Sequence, residues 1–393
     1  MSYLEKLLDG VEVEWKPLGE VTNVLRGRRL TRDLLSSQEK YPVFHGGLDP
    51  LGFYSNFNRP AYSVMIINVG ASAGTVGFSS LDFWSSDGCY CVEHLSKIDN
   101  KFLYYYLIGE EHFLKSRVRK AGIPTLDASV IEKLQIPIPC PENPKKSLEI
   151  QQKIVAILDT FSKITAELTA ELTARKMQYS YYREKLYSLD KNKVQHLPMD
   201  DESIGVFQRG KRFVKTDLIS EGVPVIHYGE MYTHYGTWAD KTKSFLSEEL
   251  VKNKNLRVAN KGDVVIVAAG ETIEDIGMGT AWLGEEGVVV HDACFSYKTV
   301  LNAKYVAYFT RTKQFHDQIK KNISSGKISA INARGLGKAI IPVPSKEEQE
   351  RIVSILDKFD ILTNSISEGL PKEIELRKKQ YEYYREQLLG FSR

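Results

Sequence analysis

Gln152-Lys-Ile-Val-Ala-Ile-Leu-Asp-Thr-Phe161 returns as Glu350-Arg-Ile-Val-Ser-Ile-Leu-Asp-Lys-Phe359, 198 residues later. Arg175-Lys-Met-Gln-Tyr-Ser-Tyr-Tyr-Arg-Glu-Lys-Leu186 returns as Arg377-Lys-Lys-Gln-Tyr-Glu-Tyr-Tyr-Arg-Glu-Gln-Leu388, 202 residues later, with nine of twelve positions identical. Such identity marks a duplication, and two copies of this period are too few for a solenoid.

The repeated stretches read as helices. Ile154, Ile157, Leu158, Phe161, Ile164, Leu168, Leu172, Tyr179, Tyr182 and Leu186 recur at helical spacing, and so do Ile352, Ile355, Leu356, Phe359, Leu362, Ile366, Leu370, Tyr381, Tyr384 and Leu388. Each run follows a Pro-x-Pro stop and an acid-rich opening, as a helix N-terminus should. The boundaries predicted are 146–190 and 346–393, with mixed domains at 1–145 and 191–345. A helix of roughly 40 residues is about 60 Å long and would bury its single apolar stripe against the other. Pro371 should kink or interrupt the second helix near Gly369.

Fainter echoes tie the mixed domains together. Arg26-Gly-Arg-Arg29 matches Arg209-Gly-Lys-Arg212, Tyr41–Gly47 matches Val223–Gly229, Val64–Gly70 matches Val264–Gly270, and Gln135–Pro139 matches Ile340–Pro344. Short strands among Gly, Asn and Asp turns are expected in each, followed by helices at Lys101–Arg119 and Lys304–Lys321. Tyr3–Leu8 resembles the helix ends Tyr182–Leu186 and Tyr384–Leu388, so the repeat reads as circular, with the two chain ends together.

The 393 residues, 42% hydrophobic and 26% charged, suit an ordinary globular protein of two to three domains. The longest apolar runs fall far short of a membrane span, and the first ten residues lack a signal-peptide pattern. Four cysteines make no disulfide framework, so a reducing cytoplasm is expected. A net charge of +3 neither announces nor excludes nucleic-acid binding.

Catalytic patterns fail on their contexts. Gly70-Ala-Ser-Ala-Gly74 has the outline of a nucleophile elbow, but a strand rather than a helix is expected after it, so a glycine-rich turn is the reading. Gly205–Lys211 resembles a phosphate loop, but Arg212 stands where Ser or Thr is needed. Cys89, Cys91 and His94 lack a fourth zinc ligand, and buried thiols explain them better. No metal site is expected. What remains is a matched polar and basic set. In the first domain it comprises Arg26, Arg28, Arg29, Arg32, His45, Tyr54, Asn56, Asn58, Lys115, Arg117, Arg119 and Lys120. In the second it comprises Arg209, Lys211, Arg212, Lys215, His227, Tyr228, Tyr232, Lys320, Lys321, Lys327 and Asn332. Arg and Lys neutralise phosphates, while Arg and Asn can bond base edges. Two such sets on a long spacer suit a bipartite duplex. The rival reading is a non-DNA interaction scaffold carrying two binding domains on a coiled-coil stalk.

This organisation resembles the specificity subunits of type I restriction–modification systems, particularly the type IC group. The likeness covers the whole chain, and its most specific sign is the tandem Thr165-Ala-Glu-Leu168 and Thr169-Ala-Glu-Leu172. The resemblance implies an α+β fold: two mixed α/β target recognition domains joined by two long conserved helices in an antiparallel coiled coil, with a circular pseudo-two-fold repeat. It implies a non-catalytic reader of a split DNA sequence, one half-site per recognition domain. It also implies two methyltransferase subunits and restriction subunits as partners, which would carry S-adenosylmethionine, ATP and Mg, with no cofactor on this chain. Tyr179, Tyr182, Arg183, Tyr381, Tyr384 and Arg385 are the partner-contact candidates. Thr165, Leu168, Thr169 and Leu172 would set the spacer. Thirteen residues separate Phe161 from Arg175 and seventeen separate Phe359 from Arg377, so the first helix should be one turn shorter.

Overall fold

The computed structural model describes residues 10–95, 97–231, 233–324, 326 and 328–391. They divide into two compact units. One joins the chain up to Thr169 to the segment from Glu373 onward, and the other is Ala170–Lys372. The first unit therefore draws on both halves of the sequence, as a circular repeat requires. Tyr3–Leu8 lies outside the described residues.

The two units share one strand plan. In the first, Thr22–Arg26, Cys89–His94, Ser63–Ile67 and Val76–Ser79 form a four-stranded antiparallel sheet in that order. Gly52–Tyr54, Tyr41–Phe44 and Trp84–Ser85 form a second sheet whose last pair is parallel. In the second unit, Gly205–Arg209, Cys294–Thr299, Val264–Val267 and Gly279–Trp282 repeat the first order, with Trp238–Ala239 added at the edge. Ser244–Leu246, Val223–Ile226 and Val288–Val290 repeat the second, with Val258–Ala259 added.

Strand periodicity explains why such short apolar runs are buried on both faces. Alternate residues point to opposite sides. Val64, Ile66, Tyr90 and Val92 face the helices, whereas Met65, Ile67, Cys89 and Cys91 meet Phe44 and Phe83. Val264 and Ile266 likewise join the helical core, and Val265 and Val267 join a core with Ile226, Val288 and Val290. Burial pushes the Cys91 thiol up to about 11 and those of Cys89 and Cys294 to about 12, as suits packing groups rather than ligands. Gly70-Ala-Ser-Ala-Gly74 is the turn between Ser63–Ile67 and Val76–Ser79, with Gly70 and Gly74 at φ +84° and +89°. Gly205–Arg209 is a strand, which rules out a phosphate loop there.

The expected helix at Lys101–Arg119 divides into Asn100–Gly109 and Glu111–Ser116, and that at Lys304–Lys321 into Ala303–Phe309 and Lys313–Ile319. In the second unit the cause is legible. The Thr312 hydroxyl accepts the Phe315 N–H and so starts a new helix.

The central helix, Pro144–Tyr187, is uninterrupted over 44 residues. Its first half belongs to the first unit, where Ile150, Ile154 and Leu158 share a core with Leu388 and Leu389, and Phe161 stacks on Tyr384 at 5.1 Å. Its second half belongs to the second unit, where Tyr179 and Tyr187 share a core with Ile352, Val353 and Leu356, and Tyr179 stacks on Phe359 at 5.9 Å. Partner numbers fall as the helix is followed forward, so the pairing is antiparallel. Identical anchors tie each unit's helix to its domain. Asp159 accepts from Lys101 at 2.7 Å and from the Tyr105 hydroxyl at 2.6 Å, and Asp357 accepts from Lys304 at 2.8 Å and from Tyr308 at 2.7 Å.

The second repeated helix is interrupted beside Gly369, as expected, though not by Pro371 itself. It divides into Lys346–Asn364 and Gly369–Leu389, and the break precedes Pro371. Pro371 is the third residue of the new helix, where backbone N–H groups lack helical acceptors anyway. Gly369, at φ +78°, makes the turn, and a Cβ there would collide with the Ile361 carbonyl. The break also absorbs the length difference. Of the seventeen residues between Phe359 and Arg377, Ser365–Glu368 are non-helical, and thirteen helical residues remain, as many as separate Phe161 from Arg175. The first helix is not a turn shorter; the second copy carries a four-residue interruption.

Candidate nucleic-acid interface

Each unit has a cavity where the ends of its two larger sheets meet. The first, about 570 Å³, is lined by Arg26, Arg29, Arg32, His45, Asn68, Ser86, Asp87 and Gly88, among others. The second, about 800 Å³, is lined by Arg212, Phe213, Lys215, His227, Tyr228, His291, Asp292 and Ala293, among others. Strand pairing puts these linings in register. Arg29 corresponds to Arg212, Arg32 to Lys215, His45 to His227, Ser86 to His291, Asp87 to Asp292, and Gly88 to Ala293. Backbone bonds confirm the match. Asn68 N–H donates to the Gly88 carbonyl and Leu126 N–H to the Asn68 carbonyl, as Ala268 N–H does to Ala293 and Ile331 N–H to Ala268.

The histidines are held by backbone. Gly88 N–H donates to His45 Nδ1 at 3.2 Å, which leaves the ring proton on Nε2. Asp87 Oδ1 is 3.3 Å from the same Nδ1. A Cβ on Gly88 would sit 2.6 Å from that nitrogen, so the close approach needs glycine. In the second cavity Gly229 N–H donates to His227 Nδ1 at 3.2 Å. Ala293 N–H donates to His291 Nδ1, and His291 Nε2 reaches the Phe213 carbonyl, each at 3.1 Å. The two rings are 4.9 Å apart. Burial, and for His227 the neighbouring His291, depresses both below the ordinary histidine value.

Of the sequence candidates, the structure brings Arg26, Arg29, Arg32 and His45 to one cavity and Arg212, Lys215, His227 and Tyr228 to the other. Others lie elsewhere. Arg28, Asn56 and Lys120 are exposed, and Tyr54 packs edge-on against Trp84 at 5.3 Å. Arg117 lies over Phe113, Arg119 pairs with Asp127, and Lys115 pairs with Glu111. Arg209 Nε donates to the Asp292 carbonyl, and Lys211 Nζ to that of Lys254. Lys320 lines a different cavity, and Lys321 is exposed. Asn58 is a correction. Its Nδ2 donates to the Ser85 carbonyl and its Oδ1 accepts the Ser85 N–H, so both ends hold a strand rather than meeting a base. Asn332 is another, because its Oδ1 caps Ala333–Gly337 by accepting the Gly335 N–H. Tyr232 and Lys327 lie outside the described residues. Sequence reasoning missed Asn68, Ser86, Asp87, His291 and Asp292. Aligning Cys89 with Cys294 would have paired Asp87 with Asp292.

Comparison with known proteins bears on this arrangement. A family model described as the type I restriction modification DNA specificity domain matches residues 10–175 and 202–376. The chain belongs to the type I restriction–modification specificity subunits. It is 34% identical to the EcoR124I/EcoR124II specificity subunit of Escherichia coli, covering 100% of this chain and 97% of the relative. It is 28% identical to the EcoprrI specificity subunit of Escherichia coli, over 94% of this chain and 92% of the relative. The fold resembles the crystal structure of a type I restriction–modification S subunit from M. genitalium, with a TM-score of 0.60, 18% identity and full coverage of both chains.

In this specificity subunit the repeated helices turn most candidate partner residues inward. Tyr179 is buried, Tyr182 stacks on Phe359, Tyr384 stacks on Phe161, and Tyr381 lies 6.2 Å from Tyr105. Arg183 and Arg385 cover the rings of Tyr179 and Tyr381. These tyrosines belong to the apolar stripe, which is what their spacing describes. The matched pair left exposed is Tyr181 and Tyr383, each at 58%. Within the tandem repeat, Thr165 and Thr169 hydroxyls bond back to the carbonyls four residues earlier, and Leu168 and Leu172 are half-buried. Among the described residues no helix is long and apolar enough to cross a membrane.

Proposed function

We propose that this specificity subunit reads a split duplex sequence, each recognition domain taking one half-site. The observation that carries the reading is the pair of corresponding cavities, one per unit, both rimmed by cations and holding a backbone-fixed histidine. Cations fix the phosphates, and donors on rigid strand ends meet base edges. The chain supplies no reaction chemistry of its own in this reading. Two methyltransferase subunits dock on the repeated helices, with Tyr181 and Tyr383 offering matched contacts, and methylate adenine with S-adenosylmethionine. Restriction subunits that use ATP and Mg complete the assembly, in the cytoplasm. The uninterrupted central helix is the spacer, and its Thr-Ala-Glu-Leu units set the gap between half-sites.

The test is genome-wide mapping of methylated adenine in a host expressing the chain with its methyltransferase subunit. The expected result is a new motif of two short half-sites around a fixed gap. A stable, cofactor-competent complex that methylates no such motif would overturn the proposal.

A further inference from the structure

One group in the first cavity is unpaid for by the fold. Asn68 is 3% exposed, and its Oδ1 has no hydrogen-bond partner. Its orientation is set, because Nδ2 donates to the Asp87 carbonyl at 3.3 Å and a flipped amide would put two oxygens together. A buried acceptor without a partner is costly unless something that enters the cavity supplies the donor. His45 lines the same cavity and carries its ring proton on Nε2, with Nδ1 occupied by the Gly88 N–H. Both side chains are tied to one peptide, Asn68 to the Asp87 carbonyl and His45 to the Gly88 N–H, and both line the cavity.

In the major groove, guanine offers two acceptors, cytosine a donor, and thymine an acceptor beside a methyl group. Adenine alone offers a donor, its N6 amino group, beside an acceptor, N7. About 570 Å³ lies within the range of cavities that take small molecules, so the edge of a base fits. Resting on the DNA reading above, we infer that Asn68 and His45 are specificity-determining residues that select an adenine in the half-site of the first domain. Asn68 Oδ1 accepts from N6, and His45 Nε2–H donates to N7. The second domain is built differently. Ala268 stands at the place of Asn68 and is buried, so that cavity lacks the amide acceptor. The adenine contact therefore belongs to one half-site only.

The test compares wild type, Asn68→Ala and His45→Ala, each expressed as the full chain with its methyltransferase subunit and mapped by the methylated motif. In both variants one adenine position of the first half-site should open to other bases, with preference falling about 10- to 100-fold. The second half-site and the gap should stay as they are. Should Asn68→Ala fail to assemble, the half-exposed His45 still gives the answer, because His45→Ala must relax the same position. A wild-type motif that neither substitution changes, or both half-sites relaxing together, would overturn the inference and leave the DNA reading standing. A wild-type first half-site without adenine at the affected position would do the same. No wild-type motif at all would sink both.

Discussion

Leu388 closes the first unit from the far end of the chain. It is fully buried in a core with Ile150, Ile154 and Leu158 of the central helix and Val64, Ile66 and Val92 of the sheet. Leu388→Ala removes three carbons, worth about 2.4 kcal/mol at roughly 0.8 kcal/mol each. The cavity left behind raises the cost to about 3–4 kcal/mol. That is more than a hundredfold in the opening equilibrium of the first unit. Native-state hydrogen exchange on the full chain reads the two units separately. Amides of Ser63–Ile67 and Asn100–Gly109 should lose over a hundredfold in protection, while those of Val264–Val267 keep theirs. Loss confined to Gly369–Leu389 would show a helix that merely rests on the surface. Equal loss in both units would show a single cooperative block. Either result refutes the division.

Two further outcomes follow from the helix and the second cavity. Inserting another Thr-Ala-Glu-Leu after Leu172 adds about 6 Å and close to one full turn to the central helix, so the methylated motif should keep both half-sites and gain a longer gap; a changed half-site with an unchanged gap would refute the spacer role. His227 and His291 titrate below the ordinary histidine value in the folded state, so the unfolded chain binds protons first as pH falls. The second unit should therefore hold its stability above about pH 6.5 and lose it below. Urea midpoints across pH should show this slope flattened in a His227→Asn, His291→Asn double variant. An unchanged slope would exclude the pair as its source.

The duplication, the helices and the short strands were legible because identity and periodicity are local signals. Phe161 and Phe359 lie on their apolar stripes and pack as the spacing predicts. The tyrosines misled because a stripe says which residues share a face, not what covers it. Length was misread for a similar reason: four extra residues look the same whether they extend a helix or interrupt it, and Gly369 at positive φ decides for interruption. The cavities are least legible. His45, Asn68 and Asp87 come from three separate loops, and only the strand pairing brings them to one cavity. Asn58 shows the opposite error, an amide of the right type in a basic neighbourhood that the backbone of Ser85 has already claimed.

The composition of the first unit sets an order of events on the ribosome. Domains commonly fold as they emerge, N-terminal first. Here the second unit is a continuous stretch, Ala170–Lys372, and has all its parts before synthesis reaches Glu373. The first unit emerges earlier but lacks Leu388 and Leu389 until the C-terminal helix is made. At about 5–20 residues per second, that leaves its helical core incomplete for roughly 10–40 seconds. The first domain to be translated is thus the last to be finished. During that interval its open seam is the part of the nascent chain most in need of a chaperone or a waiting partner.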